Sequence, residues 1–312
     1  MILTVTMNPS IDTRYKLESL IIDDVNRAIA QRTPGGKGLN VARVLSQLGD
    51  TVLATGLLGG YFGSYLAQCL DEEGIAHQFS EISGETRTCL SILHENKQTE
   101  ILERGPEVTE AELQKFFLHF DLLAEQADVI TISGSLPQGV PNSTYAELLR
   151  RSACVGCKQV LVDSSGLALE EILKAEVHPY LVKINLSEAN ALLRTQLEPT
   201  ETKEIIKVLR TNEKLHDVPW VVVSLGSYGC VATHNDMAYC AVPPVVEAVN
   251  ATGSGDAMLA GFADGLAHSK DDVSILRTSV ACGTLNAMDL KTGHIQIEKL
   301  KNMKRAIQVS CL

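Results

Sequence analysis

The chain has 312 residues, of which 45% are hydrophobic and 21% are charged, the balance of an ordinary folded globular protein. This composition argues against disorder or a coiled coil, and no apolar run approaches the length that crosses a bilayer. The formal net charge of −11 disfavours nucleic acids and acidic membrane surfaces as partners, because both are anions. An anionic ligand would have to be bound by a few local groups.

The N-terminal residues and the cysteines point to a compartment. The first apolar stretch has no basic flank before it, which is not typical of a signal peptide. The eight cysteines are scattered along the chain, and we expect reduced thiols in a cytoplasmic protein. Cys154 and Cys157 form one close pair, but a zinc ribbon needs a second such pair, which the sequence lacks. We therefore expect this pair to be incidental.

Short apolar runs alternate with helical stripes along the chain. The predicted strands cover residues 2–6, 51–58, 127–133, 159–163, 180–184 and 220–225. The predicted helices cover residues 37–48, 62–73, 145–151 (with Pro141 near the start), 253–267, 272–289 and 297–309. This alternation indicates βαβ units, and therefore an α/β protein with a mostly parallel, buried sheet.

Two segments, residues 10–33 and 86–104, do not follow this alternation. The second predicts two strands, 89–93 and 99–102, around a turn at 95–98. The segments could be ordinary loops with one hairpin, or they could together form a small separate sheet that covers the main domain as a lid. We predict the second arrangement, with both segments inserted in one domain that spans residues 1–312.

The strongest chemical motif is a pair of glycines at the start of a predicted helix. Gly253, Ser254 and Gly255 are followed by Asp256 in the first helical turn. Such a bend turns backbone N–H groups toward one point, where the helix dipole favours an anion such as phosphate. Asp256 could take a proton from a substrate hydroxyl beside that anion. From the motif alone, it could equally do no more than complement the helix dipole.

A second glycine turn opens the predicted helix at residue 37. It comprises Gly35, Gly36, Lys37 and Gly38, and Asn40 follows in the helix. Lys37 is a compact cation suited to phosphate, or else a solvated surface charge. The sequence contains neither a Walker A loop nor the Gly-x-Gly-x-x-Gly fingerprint, which disfavours a P-loop enzyme and a nicotinamide-linked dehydrogenase.

Polar residues also follow two later predicted strands. Asn185 and Glu188 could organise Mg²⁺ through water, or they could only cap a helix, for which Ser187 is the predicted N-cap. Gly226 and Gly229 could let a nucleotide approach the backbone, or they could form a tight hairpin turn.

Two charged residues fall in the lid segments. Asp12 and Arg87 could be surface charges, but an arginine facing a cleft would suit a phosphate.

In this order, these segments resemble the ribokinase/PfkB carbohydrate kinase family over essentially the whole chain. Residues 35–40 and 253–256 stand where the family has its two signatures, and 185–188 matches its Asn-x-x-Glu element. Segments 8–12 and 132–137 are similar to the hexose-phosphate branch. The segment 93–107 is most similar to the tagatose-6-phosphate kinases of that branch, and next to the 1-phosphofructokinases.

The resemblance implies a ribokinase-like three-layer α/β/α fold with a small β-sheet lid, and homodimers that form through the lid sheets. It implies ATP and Mg²⁺ as cofactors. The implied reaction is phosphorylation of D-tagatose 6-phosphate at its 1-hydroxyl to give D-tagatose 1,6-bisphosphate. Phosphorylation of fructose 1-phosphate or fructose 6-phosphate, and a non-catalytic sugar-phosphate sensor, are the alternatives.

The resemblance also implies a role for each site residue. Asp256 matches the general base, and Gly253, Ser254 and Gly255 match the anion hole. The sugar phosphate is expected at Asp12, Gly36, Lys37, Asn40 and Arg87. The nucleotide is expected at Lys183, Asn185, Glu188, Ser224, Gly226 and Gly229, with Mg²⁺ held through water by Asn185 and Glu188.

Overall fold

The computed structural model describes residues 1–95, 97–157 and 159–312. Its strands are β1 (Ile2–Thr6), β2 (Ser10–Lys16), β3 (Ala30–Gly35), β4 (Val52–Gly59), β5 (Ser80–Ile82), β6 (Arg87–His94), β7 (Lys97–Leu102), β8 (Val129–Ser133), β9 (Gln159–Asp163), β10 (Leu181–Asn185), β11 (Trp220–Ser224), β12 (Cys230–His234), β13 (Met237–Val242) and β14 (Gln308–Cys311). Its α-helices are α1 (Lys37–Leu48), α2 (Gly60–Glu72), α3 (Glu110–Ala124), α4 (Thr144–Cys154), α5 (Gly166–Lys174), α6 (Leu186–Leu193), α7 (Thr202–Thr211), α8 (Ser254–Ala267), α9 (Asp272–Ala287) and α10 (Ile297–Ala306).

The main sheet is mostly parallel, as the alternation of strands and helices predicts. Within the described residues its strand order is β14-β13-β12-β11-β10-β9-β8-β1-β4-β5. The seven neighbouring strands β11, β10, β9, β8, β1, β4 and β5 run parallel to one another. The strands β12, β13 and β14 are antiparallel and extend the sheet beyond β11. Because the parallel strands all point the same way, their carboxyl ends lie side by side at one end of the sheet. Ligands of open α/β sheets bind at this end.

Helices cover both faces of this sheet, which gives the predicted three layers. Successive strand residues point to opposite faces: Ile2 belongs to the core under α1, α2, α8 and α9, whereas Leu3 belongs to the core under α3, α4 and α5. A third cluster packs α5, α6 and α7 against β10 and β11. Helix α1 shows how the pattern determines this packing, because its stripe of Leu39, Val41, Val44 and Leu45 is buried and Gly49 ends it with a φ of +90°.

The second sheet is small and separate, as predicted. Its order is β3-β2-β6-β7, with β2 parallel to β6 and antiparallel to β3. Both inserted segments contribute two strands. The register places Asp12 opposite Thr33 on one side and Cys89 on the other. Strand β7 is an edge strand that is exposed along its length. Of the predicted turn at 95–98, Asn96 lies outside the described residues.

The antiparallel strands of the main sheet, β12, β13 and β14, were not predicted from the sequence. The helix predicted over 297–309 ends at Ala306, and the next residues form β14, which pairs with β13. Strands β12 and β13 were not predicted. These are short segments in the antiparallel edge, so their strand conformation depends on hydrogen bonds to neighbours that are distant in sequence. The prediction of Pro141 at an early helical position was wrong, because α4 begins at Thr144, three residues later, with Ser143 as its N-cap.

All eight cysteines are free thiols. Cys154 is exposed and Cys157 is buried, so the pair is not bridged. Among the described residues, no helix is both long enough and apolar enough to span a bilayer.

Candidate active site

A cleft of about 1110 Å³ lies along the carboxyl ends of the parallel strands, between the two sheets. The structure brings nearly every predicted site residue to its walls. These are Asp12, Gly36, Lys37, Asn40, Arg87, Lys183, Asn185, Ser224, Gly226, Gly229, Gly253, Ser254, Gly255 and Asp256. Glu188 lies just behind the wall, where its Oε1 is 3.9 Å from Nζ of Lys37.

The paired glycines form the N-terminus of α8. Gly253 is the N-cap with a φ of +81°, and a Cβ there would lie 2.6 Å from Cγ2 of Thr292. A Cβ on Gly255 would lie 2.5 Å from Nζ of Lys183, so the glycine lets this lysine approach the helix start. The Ser254 amide donates to the carbonyl of Ala251. Among the described residues, the amides of Gly255 and Asp256 have no such acceptor.

Asp256 is buried at this helix start, with 6% of its surface exposed. Its Oδ2 accepts a hydrogen bond from Nδ2 of Asn40 at 2.8 Å, across 216 residues of sequence. Burial and the negative charge of Asp163 raise the pKa of Asp256 to about 6, against the opposing effects of Lys37, Lys183 and the Asn40 hydrogen bond. A carboxyl group in this state is ionised at neutral pH and readily protonated.

Two lysines share one buried carboxylate beside Asp256. Nζ of Lys37 lies 2.6 Å from Oδ1 of Asp163, and Nζ of Lys183 lies 2.5 Å from Oδ2. Asp163 is fully buried. Burial alone would raise the pKa of Asp163, but the two ammonium groups outweigh it and lower the pKa below its usual value. Burial opposes the charge of Lys37 too, yet Asp163, Asp256 and Glu188 together raise the pKa of Lys37.

Sequence reasoning missed Asp163. It is the last residue of β9, after three buried apolar residues, and it therefore ends at the same edge as Asn185 of β10 and Ser224 of β11. A polar residue at the end of a buried parallel strand was the available signal. Only a single glycine, Gly166 at the start of α5, follows it closely, and no known motif flanks it, so the signal had little support along the chain.

Asn185 and Glu188 form a reciprocal capping box at the start of α6. Oδ1 of Asn185 accepts from the Glu188 amide at 2.8 Å, and Oε2 of Glu188 accepts from the Asn185 amide at 2.8 Å. The prediction of Ser187 as N-cap was therefore wrong, because Asn185 holds that position. Capping occupies only one carboxylate oxygen of Glu188, and the other is directed toward Lys37.

Asp12 and Arg87, which were predicted to bind the sugar phosphate, are held by neighbouring polar groups. Oδ1 of Asp12 accepts from Oγ of Ser10 at 2.6 Å, and burial raises the pKa of Asp12 despite that bond and the nearby arginines. Arg87 donates to the carbonyls of Asn8 and Glu103 at 3.2 and 2.8 Å, so its guanidinium is held at the cleft wall and is not a free surface charge.

Arg43 was also missed. It donates to Oδ1 of Asn40 at 3.1 Å and to the carbonyl of Pro34 at 2.6 Å. It thereby fixes which amide atom of Asn40 faces Asp256. Its place one helical turn after Asn40 was the available signal, since residues three apart share a helix face.

Ser224 is the last residue of β11, and Gly226 and Gly229 lie in the turn between β11 and β12. The Leu225 amide donates to the Gly229 carbonyl at 2.8 Å, and both glycines have positive φ. The tight hairpin is therefore confirmed. Since the turn also lines the cleft, backbone approach to a nucleotide stays a prediction.

A three-layer α/β protein with this cleft, a helix N-terminus free to bind an anion, and a buried acid beside it has the features of an enzyme that acts on an anionic ligand such as a phosphate. The pfkB family carbohydrate kinase model matches residues 11–298. The chain belongs to the pfkB family of carbohydrate kinases.

Solved structures of this family are similar over nearly the whole chain. A Staphylococcus aureus protein provisionally described as a phosphofructokinase is 30% identical, with a TM-score of 0.84, and the match covers 100% of this chain and 99% of that one. Phosphofructokinase-2 from Escherichia coli in complex with fructose-6-phosphate is 27% identical, with a TM-score of 0.86 over 97% and 98%. A Thermotoga maritima protein provisionally described as a 1-phosphofructokinase is 27% identical, with a TM-score of 0.87 over 100% and 99%.

Proposed function

We propose that this protein is an ATP-dependent kinase that phosphorylates a ketohexose phosphate. The observation that carries the proposal is the position of Asp256, buried in the cleft at an anion-binding helix start and flanked by the Lys37–Asp163–Lys183 cluster. A carboxylate that only complemented the helix dipole would gain by remaining solvated, because burial disfavours its charge. Burial raises the pKa of Asp256 despite the two lysines, which suits a group that takes up a proton.

Asp256 is proposed as the general base. Asn40 binds its Oδ2, which leaves Oδ1 to accept the proton of the sugar hydroxyl as the oxygen attacks the γ-phosphorus of ATP. The bond from the γ-phosphorus to the bridging oxygen breaks, and ADP leaves. A positioned base contributes roughly 10²–10⁴-fold in rate.

The rest of the site stabilises the charge on the transferred group. The Gly255 and Asp256 amides and the two lysines supply positive charge where phosphoryl oxygens would lie. Asp163 holds the lysines at fixed positions, so little reorganisation is needed during the reaction. Such positioning is the main contribution of a protein to phosphoryl transfer.

The residues present fit an Mg²⁺ held through water. Oε1 of Glu188 takes no part in the capping box and lies 3.9 Å from Nζ of Lys37, whereas both oxygens of Asp163 are occupied by lysines. Bound Mg²⁺ would neutralise phosphate charge on ATP. Asn185 is tied to α6 by the capping box and would hold only water.

D-tagatose 6-phosphate, phosphorylated at its 1-hydroxyl to D-tagatose 1,6-bisphosphate, is the proposed acceptor. The resemblance of residues 93–107 to tagatose-6-phosphate kinases supports it. The similar structures described as phosphofructokinases favour fructose phosphates as the second candidate. The two sugars differ at one hydroxyl, and one lost hydrogen bond to a buried group costs about 1–3 kcal/mol, so some activity on both is expected.

The test is ADP release with tagatose 6-phosphate, fructose 6-phosphate and fructose 1-phosphate side by side. We expect the highest kcat/KM with tagatose 6-phosphate, by roughly 5- to 150-fold for a difference of about 1–3 kcal/mol. A higher kcat/KM with a fructose phosphate would replace the acceptor and leave the kinase proposal standing. Binding of these sugars without ADP release from any of them would indicate a sensor and overturn the proposal.

The pH profile tests the base separately. Because Asp256 must be ionised and its pKa is about 6, kcat/KM should fall about tenfold per pH unit below pH 6 and level off above pH 7. The second pKa of a phosphate monoester also lies near 6. The residual rate of Asp256→Asn over the same pH range therefore serves as the control. It should show only the fall caused by protonation of the substrate phosphate, and should therefore fall less steeply than the wild-type rate. A wild-type profile that is flat from pH 5 to 7 would exclude this role.

We also propose a homodimer that forms through the small sheet. The loop between β2 and β3 exposes Ile21, Ile22, Val25 and Ile29, and β7 exposes Ile101 and Leu102. Unpartnered apolar side chains on an edge sheet are typical of an interface. Light scattering should give a dimer mass for the wild type and a monomer mass for Ile22→Asp/Ile29→Asp. Leu118→Asp, which alters an exposed apolar residue of α3, should stay dimeric; a monomer there would place the interface elsewhere.

A further inference from the structure

A second cluster of ligand-type side chains lies at the opposite end of α8 from the cleft. It contains Asp50, which precedes β4, Asp264 in the last turn of α8, and His268, the C-cap of α8. One ligand atom from each residue lies within 4.8 Å of the others. The cluster is at the amino ends of the parallel strands, so it shares no residue with the cleft.

The two carboxylates are buried, and one has an unsatisfied oxygen. The side chains of Asp50 and Asp264 are 5% and 8% exposed. Oδ2 of Asp50 is inaccessible to solvent and has no hydrogen-bond partner among the described residues. A buried carboxylate oxygen without a donor is costly unless a cation or a proton compensates it.

Local charge makes the deficit larger. Lys270 donates to Oδ2 of Asp264 at 2.7 Å, which orients that carboxylate and leaves its Oδ1 available. Burial and the charge of Asp264 raise the pKa of Asp50, against the opposing effects of His268, Lys270 and the N-terminal ammonium group. The C-terminal ends of both α1 and α8 are here, and a helix C-terminus favours a cation.

The two ligand spacings from His268 are close to those of a tetrahedral metal. Nδ1 of His268 lies 3.3 Å from Oδ1 of Asp264 and 3.7 Å from Oδ1 of Asp50. Bonds of about 2.0–2.1 Å place neighbouring ligands of a tetrahedral Zn²⁺ about 3.3–3.4 Å apart. Nδ1 now contacts the Asp264 carbonyl, which also accepts from the His268 amide and would stay satisfied if a metal displaced the ring proton.

From this geometry we infer that Asp50, Asp264 and His268 form a Zn²⁺ site, with water as the fourth ligand. The metal would tie the end of α8 to the turn between α1 and β4. Zn²⁺ binding should therefore raise Tm, because the ion binds the folded chain and not the dispersed ligands of the unfolded one.

Titration calorimetry with Zn²⁺ alone tests this inference. The background carries Cys154→Ser and Cys311→Ser, because both thiols are exposed and could bind zinc. We expect one tight equivalent that weakens about 100-fold or more in Asp50→Asn and in His268→Ala, since loss of a supporting residue alone typically costs 10–100-fold. His268 is about half exposed, so its variant should fold even if Asp50→Asn does not.

Two variants serve as controls. His216→Ala removes an exposed histidine that is 3.0 Å from Asp217 but has no buried second acid, and it should keep the tight equivalent. Glu188→Gln should also keep it, which excludes the cleft as the site. An unchanged Kd in His268→Ala, or equal weakening in His216→Ala, would overturn the inference.

Discussion

Asp256→Asn should lower kcat by roughly 10²–10⁴-fold, equivalent to about 3–5 kcal/mol of activation free energy. The substitution keeps the size of the side chain and an oxygen for the hydrogen bond from Asn40, but it removes the group that accepts the proton. Sugar-phosphate binding should change little, because the lysines and the helix N-terminus remain. The measurements are kcat from ADP release and the Kd of the sugar phosphate.

We expect Asp256→Asn not to destabilise the folded state. The pKa of Asp256 in the folded state, about 6, is above its model-compound value of 3.8, so the folded state favours the protonated form. That contribution to stability is complete below about pH 3.8 and is lost as the pH rises through 6. At pH 7.5 the neutral Asn should therefore give a Tm equal to or above that of the wild type.

A matched control separates the proposed base from a dipole-complementing acid. Asp271 caps α9 and accepts from the Ser274 amide at 3.0 Å, outside the cleft. Asp271→Asn should leave kcat within about twofold, because Asn also caps helices. If Asp256→Asn were equally active, Asp256 would have only the structural role and the proposed mechanism would be wrong.

Asp163→Asn should lower the free energy of unfolding by about 3–5 kcal/mol, the usual cost of leaving a buried charge without its partner. Lys183 is 4% exposed and Asp163 is fully buried, so water cannot replace the lost carboxylate. Activity should also fall, since both lysines lose the group that fixes their positions. Urea unfolding at pH 7.5 measures the first effect, and ADP release measures the second.

A second variant shows whether the loss is electrostatic. Asp163→Asn/Lys183→Met removes the stranded ammonium group and should recover part of the stability but none of the activity. Glu171→Gln is the control for an exposed pair, with Lys174 at 2.9 Å, and should cost less than about 1 kcal/mol. A loss in Asp163→Asn no larger than in this control would show that the buried cluster does not hold the site together.

Local pattern was sufficient for most of the fold. Strand β9 was predicted from a continuous run of apolar residues, and helix α1 from an apolar stripe of helical period. Gly49 and Gly253 stand at turns that require positive φ. The small sheet was predicted because residues 10–33 show little helical periodicity and residues 86–104 read as two strands around a turn. For the strand, the helix and the turns, the residues that decide the structure are neighbours in sequence, whereas the pairing of β2 with β6 is not local.

The arrangement of the site could be predicted only in part. The glycine turns and Asp256 are motifs with a local reason for their composition. Asp163 has no such reason, because its partners Lys37 and Lys183 lie on other elements. Arg43 contacts Asn40 on the same helix, but this contact matters only because Asn40 faces Asp256, which the sequence does not show. The N-cap of α6 illustrates the same limit. Ser187 and Asn185 are both good N-cap residues, and the sequence does not show that the helix begins directly after Asn185.

The amino-acid sequence by itself determined the α/β class, the two glycine-bearing helix starts and the acid that follows one of them. Tertiary structure alone decided that Asn40 contacts Asp256, that one buried carboxylate pairs with two lysines, and that residues 308–311 form a strand. The physical reason is the range of the forces involved. Helix periodicity and backbone torsion act over a few residues, whereas ion pairing, burial and strand pairing depend on distances that only the folded chain defines.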